Sequence, residues 1–382
     1  MKKYDLIIVT GESFPDGLAA TNRIKCYASS IAKSKSVLFI TISGPKYNVS
    51  EELQSSGTYR GVDYIYVGKA SLNHKPGILG RTFGIIKRHV KLLKCLVCDY
   101  KASSLLISGR SLSLNVIARI ITWIKGIPLY REISETPENI ANPIKRKLQT
   151  QMCRMYDGII VISAGIREYF KFIKDDAKFF LLPILVDIDQ FSEYQEIPKT
   201  NSFFYCSGGN LERDGFIDSL NGFLIFAKDN PGYRLQVATH LNLSDPYHRN
   251  AKAIMDANSD VVDFLGRLSA FDIPYKLMSS LGLLVTPHKD YQTRGFPTKL
   301  GEYLASGTPV ICSSIDSLAQ QINADCVYFV KPNSPGKIAE KMLQIVSDSD
   351  YANAVGEKGR EMVLNRYTMI NYHEGLISFL LI

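Results

Sequence analysis

The chain has 382 residues, of which 46% are hydrophobic and 21% charged. That balance excludes a disordered or fibrous protein, and the length exceeds what one core ordinarily serves, so two α/β domains are expected. Seven scattered cysteines exclude a dense disulfide scaffold and fit a reducing cytoplasm, and the absence of 18 consecutive apolar residues gives no candidate span.

Charge is unevenly spread. Residues 1–190 hold 28 Lys and Arg against 16 Asp and Glu, whereas residues 191–382 hold 17 against 21. A basic first half points to an anionic partner: lipid headgroups, a lipid diphosphate or nucleic acid. The start, Met1-Lys2-Lys3, runs straight into a strand-like segment and lacks the layout of a secretory leader.

In chain order, residues 4–10 (YDLIIVT) predict a buried parallel strand closed by Gly11. The loop GESFPDG follows, then helical composition over 19–32 and a second strand over 37–43 (VLFITIS). In residues 77–101, Leu79, Phe83, Ile86, Val90, Leu93 and Val97 recur at steps of three and four, flanked by Lys87, Lys91 and Lys94. This predicts a basic amphipathic helix suited to an anionic membrane surface or to a domain face. Cys95 and Cys98 lie within it with no second pair at metal-site spacing, which favours packing over a metal or redox role. Further strands are predicted at 104–108, 128–133 and 158–163.

Residues 179–191 (FFLLPILVDIDQF) and the polar stretch after them read as a domain link. The alternation then restarts: a strand at 202–207, the loop GGNLERDG, a helix over 216–228, strands at 233–239 and 261–264, a helix near 271–280, strands at 282–286 and 309–313, and two helices over 337–347 and 351–365. Strands alternating with helices predict parallel sheets covered on both faces. Two such domains in succession place a ligand cleft between the carboxyl ends of their strands.

GxGxxG, GxxxxGK[ST] and HExxH are all missing, which argues against dehydrogenase, NTPase and zinc-hydrolase chemistry. The positive signal is QTRGFPTKLGEYLASGTPVIC over 292–312, in which a Gly/Pro loop enters a short helix and Pro309 starts a return strand. A carboxylate in the first turns of that helix, Glu302, is placed to accept two ribose hydroxyls, while the helix N-terminus faces a diphosphate.

This stretch resembles glycosyltransferase family 4, whose GT-B fold is α/β with two Rossmann-like doubly wound domains facing across a cleft. The resemblance implies an N-terminal acceptor-side domain over 1–185, a nucleotide-sugar-binding domain over 186–365, and a C-terminal helix, 366–382, returning to the first domain. It implies a retaining transferase that moves a sugar from a nucleoside-diphosphate sugar to a lipid-linked or glycan acceptor in polysaccharide assembly. Glu302 matches the second Glu of the family's Glu-x7-Glu motif; Arg294 stands where the first Glu usually is. Gly295, Phe296, Pro297 and Thr298 would present backbone groups to the sugar, and Lys299 would either face the phosphates or pair with Glu302.

In GGNLERDG, Arg213 matches the family's phosphate-loop cation, while Asn210 stands where another Arg is common. Gly266, Arg267 and Leu268 match the segment that meets the base. Gly17, in the loop after the first strand, would allow close approach to the donor, with Arg23 in the following helix suited equally to an ion pair. In PLYREISETP (128–137), Glu132 and Glu135 are candidate acceptor-site carboxylates that orient or deprotonate a hydroxyl, or that anchor Arg131 or another cation. His288 is a candidate sugar contact.

No metal or other cofactor is expected, and no nucleic-acid motif is present. The implied location is cytoplasmic, peripheral on the inner face of the plasma membrane through residues 79–97. Two other classes fit less well. A GT-B sugar-nucleotide epimerase needs acid/base groups that this histidine-poor first half lacks, and a non-catalytic nucleotide-sugar-binding protein is suggested only by Arg294.

Overall fold

The computed structural model describes residues 1–15, 17, 19–42, 55–68, 78–109, 111–173, 178–194, 196–269, 271–287, 298–319 and 321–381. Among them the chain forms two compact units, one of residues 1–185 and 369–381, the other of residues 186–368.

The first unit is built on eight strands: β1 (Lys2–Thr10), β2 (Val37–Thr41), β3 (Ser56–Tyr59), β4 (Val62–Tyr66), β5 (Tyr100–Ser108), β6 (Leu129–Ile133), β7 (Gly158–Val161) and β8 (Lys178–Leu181). Their order is β3-β4-β2-β1-β5-β6-β7-β8, with every pairing parallel except β3 with β4. Helices α1 (Ala19–Ile31), α2 (Ile78–Lys94), α3 (Leu112–Lys125), α4 (Pro143–Gln151) and α5 (Ala164–Lys171) accompany it. Residues 6–9 of β1 and 37–40 of β2 are continuous apolar runs, as expected of strands buried on both faces. Leu6, Ile8, Phe39, Leu106 and Ile160 of the strands pack with Ile24 and Tyr27 of α1 in one core.

The second unit has six parallel strands: β9 (Ser202–Ser207), β10 (Arg234–Thr239), β11 (Val262–Gly266), β12 (Gly282–Val285), β13 (Val310–Ser313) and β14 (Tyr328–Val330), in the order β11-β10-β9-β12-β13-β14. Its helices are α6 (Phe216–Asp229), α7 (Pro246–Ala257), α8 (Asp272–Ser279), α9 (Thr298–Ala305), α10 (Asp316–Ala319), α11 (Pro335–Ser347) and α12 (Ser349–Arg366). Phe203, Tyr205, Phe216, Phe223, Leu284 and Ile338 form the centre of its core. Each fully buried side chain of this size contributes about 1.5–3 kcal/mol. Gly222 lets α6 press on α11, since a Cβ there would come within 2.7 Å of Ile338.

The chain then returns to the first unit as α13 (His373–Leu380). Leu376 and Leu380 join that unit's core, and Phe379 lies 5.3 Å from the Tyr130 ring, centroid to centroid. Gly158 makes room for this contact: a Cβ there would meet both Phe379 and Tyr130.

Two differences from the sequence expectation are informative. The apolar run from 179 begins as the edge strand β8, because its first residues complete a ladder with β7 before the link starts. The sequence expectation omits the hairpin β3–β4, whose edge strand β3 (SGTY) is short and polar although β4 (VDYIY) is largely apolar. Asp63 on β4 accepts from Lys2, Tyr4 and Thr58, so cross-strand polar bonds hold this edge.

Candidate functional site

In the second unit the strand order reverses at β9. The chain steps outward through β10 and β11 on one side and through β12, β13 and β14 on the other. In doubly wound sheets the loops leaving the carboxyl ends of the strands diverge at such a point and open a ligand crevice. Here the β9–α6 loop, residues 208–215, meets the start of α9 at that point.

A buried carboxylate ties those two segments together. Asp214 accepts from Ser207 Oγ at 2.8 Å, from Arg213 Nε at 3.0 Å and from Lys299 Nζ at 2.8 Å. Lys299 also donates to the carbonyl of Cys206 at 3.1 Å, and one turn on in α9 the Tyr303 hydroxyl accepts from the Cys206 N–H. Thr286, just after β12, donates to the carbonyl of Gly215 at 3.1 Å. Gly215 caps α6 in the left-handed region, φ +67°, and Gly209 turns the loop at φ +109°. Burial by itself would raise the Asp214 pKa, but Lys299 and then Arg213 hold it below the ordinary 3.8. The site thus keeps two cations beside the start of a 14-residue helix, a favourable setting for a phosphate group.

The predicted residues fall as follows. Glu302 is half-buried in the second turn of α9. Lys299 pairs with Asp214 rather than with Glu302, because the carboxylate at the β9–α6 turn lies within its reach. Arg213 is half-exposed on the same carboxylate. Asn210 is exposed, and its side-chain oxygen accepts from the Arg213 N–H at 3.4 Å. Gly266 ends β11 at φ +65°, followed by exposed Arg267 and partly buried Leu268. Thr298 opens the backbone of α9. His288, Arg294, Gly295, Phe296 and Pro297 lie outside the described residues.

The geometry of α9 depends on α12. Gly307, φ +72°, ends the α9 turn, and a Cβ on Gly356 of α12 would sit 2.0 Å from the Gly307 carbonyl oxygen. The glycine at 356 therefore lets a whole helix lie against the turn that follows Glu302.

In the first unit, a cavity of about 360 Å³ lies beyond the carboxyl ends of β1, β5 and β6. Glu12, Arg131, Glu132, Glu135 and Tyr156 are among its lining residues. Arg131 donates to Asn115 Oδ1 at 2.5 Å and stands 5.8 Å from the centre of the Tyr156 ring, whose hydroxyl donates to the same oxygen at 2.7 Å. Burial pushes Tyr156 up to about 12.

Glu132 takes the anchoring arrangement. Arg23 Nε donates to one carboxylate oxygen at 2.6 Å and the Tyr27 hydroxyl to the other at 2.9 Å. Arg23 also donates to the carbonyls of Leu182 and Pro183, so it clamps the end of the unit. Burial and the Glu132 charge push Tyr27 well above its ordinary pKa. Glu135 is exposed at the cavity edge. Gly17 is explained by local packing: a Cβ there would collide with Thr21, whose hydroxyl donates to the carbonyl of Ser13.

Sequence reasoning missed Asp214, Tyr303 and Tyr156. The Lys299-x3-Tyr303 spacing could have suggested one helix face turned toward β9.

Solved structures share this architecture at low identity. Sucrose-phosphate synthase (tll1590) from Thermosynechococcus elongatus superposes with TM-score 0.72 at 14% identity, over 98% of each chain. The E. coli trehalose-6-phosphate structure bound with UDP-2-fluoro glucose gives 0.69 at 12%, over 98% of this chain and 99% of the other. Anabaena Alr3699/HepE in complex with UDP and glucose gives 0.69 at 13%, over 98% of each. No curated protein sequence matches the chain. The fold is accordingly that of the GT-B glycosyltransferases. Residues 187–362, which coincide with the second unit, match the family model for glycosyl transferases group 1.

Proposed function

We propose that this protein transfers a sugar, with retention of anomeric configuration, from a nucleoside-diphosphate sugar to a lipid-linked or glycan acceptor during polysaccharide assembly. The observation that carries the donor half is the group at the switch point of the second sheet: Arg213, Lys299 and the start of α6 around one turn, with Glu302 on the adjoining helix. In this reading Glu302 accepts the ribose hydroxyls. Arg213, Lys299 and the backbone N–H groups of the 208–215 loop meet the diphosphate.

As the bond to the anomeric carbon lengthens, negative charge collects on the leaving diphosphate. Cations and N–H donors already fixed in place stabilise that charge without reorganising. The UDP and glucose held by similarly folded structures support this donor class. Gly295, Phe296, Pro297, Arg294 and His288 are assigned to the transferred sugar from the family resemblance alone.

The acceptor's hydroxylated end is assigned to the first-unit cavity. Glu135, at its edge, orients or deprotonates the attacking hydroxyl, and Arg131 and Tyr156 supply polar contacts. Glu132 is a positioning residue, since both its oxygens hold α1 in place. Transfer is proposed to need no metal. EDTA should leave the rate unchanged, and loss of transfer restored by a divalent ion would overturn that point.

The decisive experiment is a thermal-shift screen of nucleoside-diphosphate sugars. One donor is expected to raise the Tm of the wild type and not of Glu302→Ala. An equal shift in both proteins would remove Glu302 from the donor site. Product analysis with the donor so found would then show whether transfer, hydrolysis or epimerisation follows.

A further inference from the structure

The outer faces of α2 and α3 are apolar, although the helices lie at the surface of the first unit. Helix α3 reads LSLNVIARIITWIK. Its inner positions Leu114, Ala118 and Ile121 are buried, yet Trp123 is 77% and Ile124 71% exposed, and Ile120 is also exposed. On α2, Leu92 is buried while Ile86, Val90 and Val97 of the segment running into the following turn stand out, Val90 by 59%.

A surface helix ordinarily turns polar residues to water, and a helix that is apolar all round is covered by something. The two helices sit side by side. His89 Nε2 lies 2.9 Å from Ser113 Oγ at the start of α3, and Lys125 at its end donates to the carbonyls of Leu96 and Tyr100. The outward stripes of both helices therefore belong to one surface.

Charge says what covers it. Residues 78–125 contain nine Lys and Arg against a single acidic residue, Asp99. Lys87, Lys91 and Lys94 are exposed and recur at steps of four and three, one edge over from the apolar stripe. An apolar strip bordered by cations fits a bilayer with anionic headgroups, with the strip in the acyl boundary and the lysines at phosphate level. A second copy of this chain would set two such lysine rows against each other.

We propose that the α2–α3 face seats the protein on an anionic lipid bilayer, with Trp123 and Ile124 of α3 entering the interface beside the stripe of α2. Trp123 is the chain's single tryptophan, so its fluorescence reports this face alone. Among the described residues no helix is long and apolar enough to cross a membrane, and the contact proposed is peripheral.

The test uses the full chain with vesicles of phosphatidylcholine alone and with about 30% phosphatidylglycerol. Emission is expected to shift to the blue, and the protein to sediment, with the anionic vesicles only. Lys87→Glu combined with Lys94→Glu should weaken partitioning by about tenfold or more, and 0.5 M salt should do so comparably. Ile120→Ser with Ile124→Ser should abolish the blue shift while leaving the Tm and donor-induced shift intact, because both side chains are exposed. Equal binding to neutral vesicles, or no blue shift, would overturn the proposal. So would a blue shift that grows with protein concentration without lipid alongside a doubled mass, which would identify a second copy as the occupant. None of these readouts uses transfer activity, so failure here leaves the donor-site reading standing.

Discussion

The two units solve the same packing problem with different surroundings. Each is a largely parallel sheet flanked by helices, and each places a carboxylate at a cation near the carboxyl edge of its strands. In the first unit the Arg23–Glu132 pair is almost wholly buried, with both side chains 4% exposed, and it holds α1 to the 182–183 segment. In the second unit Asp214 is buried but its partners Lys299 and Arg213 reach toward solvent. A closed pair serves architecture, whereas an open cluster keeps positive charge available to a ligand. The helices differ as well: α6 and α11 interlock through Gly222, while α2 and α3 turn apolar side chains outward.

The sharpest way to break this contrast is Arg23→Met. Leaving Glu132 buried and uncompensated should cost about 3–5 kcal/mol of stability, and Arg23→Met with Glu132→Met should recover much of it. Urea denaturation of the cycle would show this, and a loss below about 1 kcal/mol would mean that water reaches the pair. Glu302→Ala should leave stability nearly unchanged but cost about 3 kcal/mol of donor binding, roughly a hundredfold in Kd by calorimetry.

Gly356→Ala should destabilise by about 1–3 kcal/mol, because its methyl meets backbone rather than a yielding side chain. It should also weaken the donor by moving α9, so a destabilised variant with wild-type donor affinity would uncouple α12 from the site.

Asp214→Asn is the subtlest case. Its partners are partly solvated, so the expected loss is only about 1–2 kcal/mol. The sign with pH follows from the lowered carboxyl pKa. The stabilisation is fully present above the ordinary 3.8 and disappears as pH falls through the lower folded value. Wild type and Asp214→Asn should therefore converge in stability on acidification below pH 3.8 and keep a constant gap above it; a gap that widens in acid would show that the carboxylate is not held ionised.

Much of the fold could be read from the chain because periodicity reports burial. The runs at 4–10, 104–108 and 202–207 are strands buried on both faces, and such strands need apolar residues throughout. The β3–β4 hairpin escaped because its edge strand β3, SGTY, is short and without apolar alternation, although β4 reaches the core through Val62. Within the 292–312 motif, the helix start at Thr298 and the left-handed Gly307 could likewise be read, since backbone conformation restricts residue types at helix ends.

What the sequence determined by itself, then, is the alternation that makes two doubly wound units and the 292–312 motif, which lies in the stretch that matches the group 1 glycosyl transferase family model. Tertiary structure decided which carboxylate meets which cation. Glu132 lies 109 positions from Arg23, and Asp214 lies 85 from Lys299. It also decided that the stripe on α2 faces outward beside Trp123 of α3. Pairing over such separations depends on how strands order in a sheet, and a one-dimensional pattern records only which faces are apolar, not what lies against them.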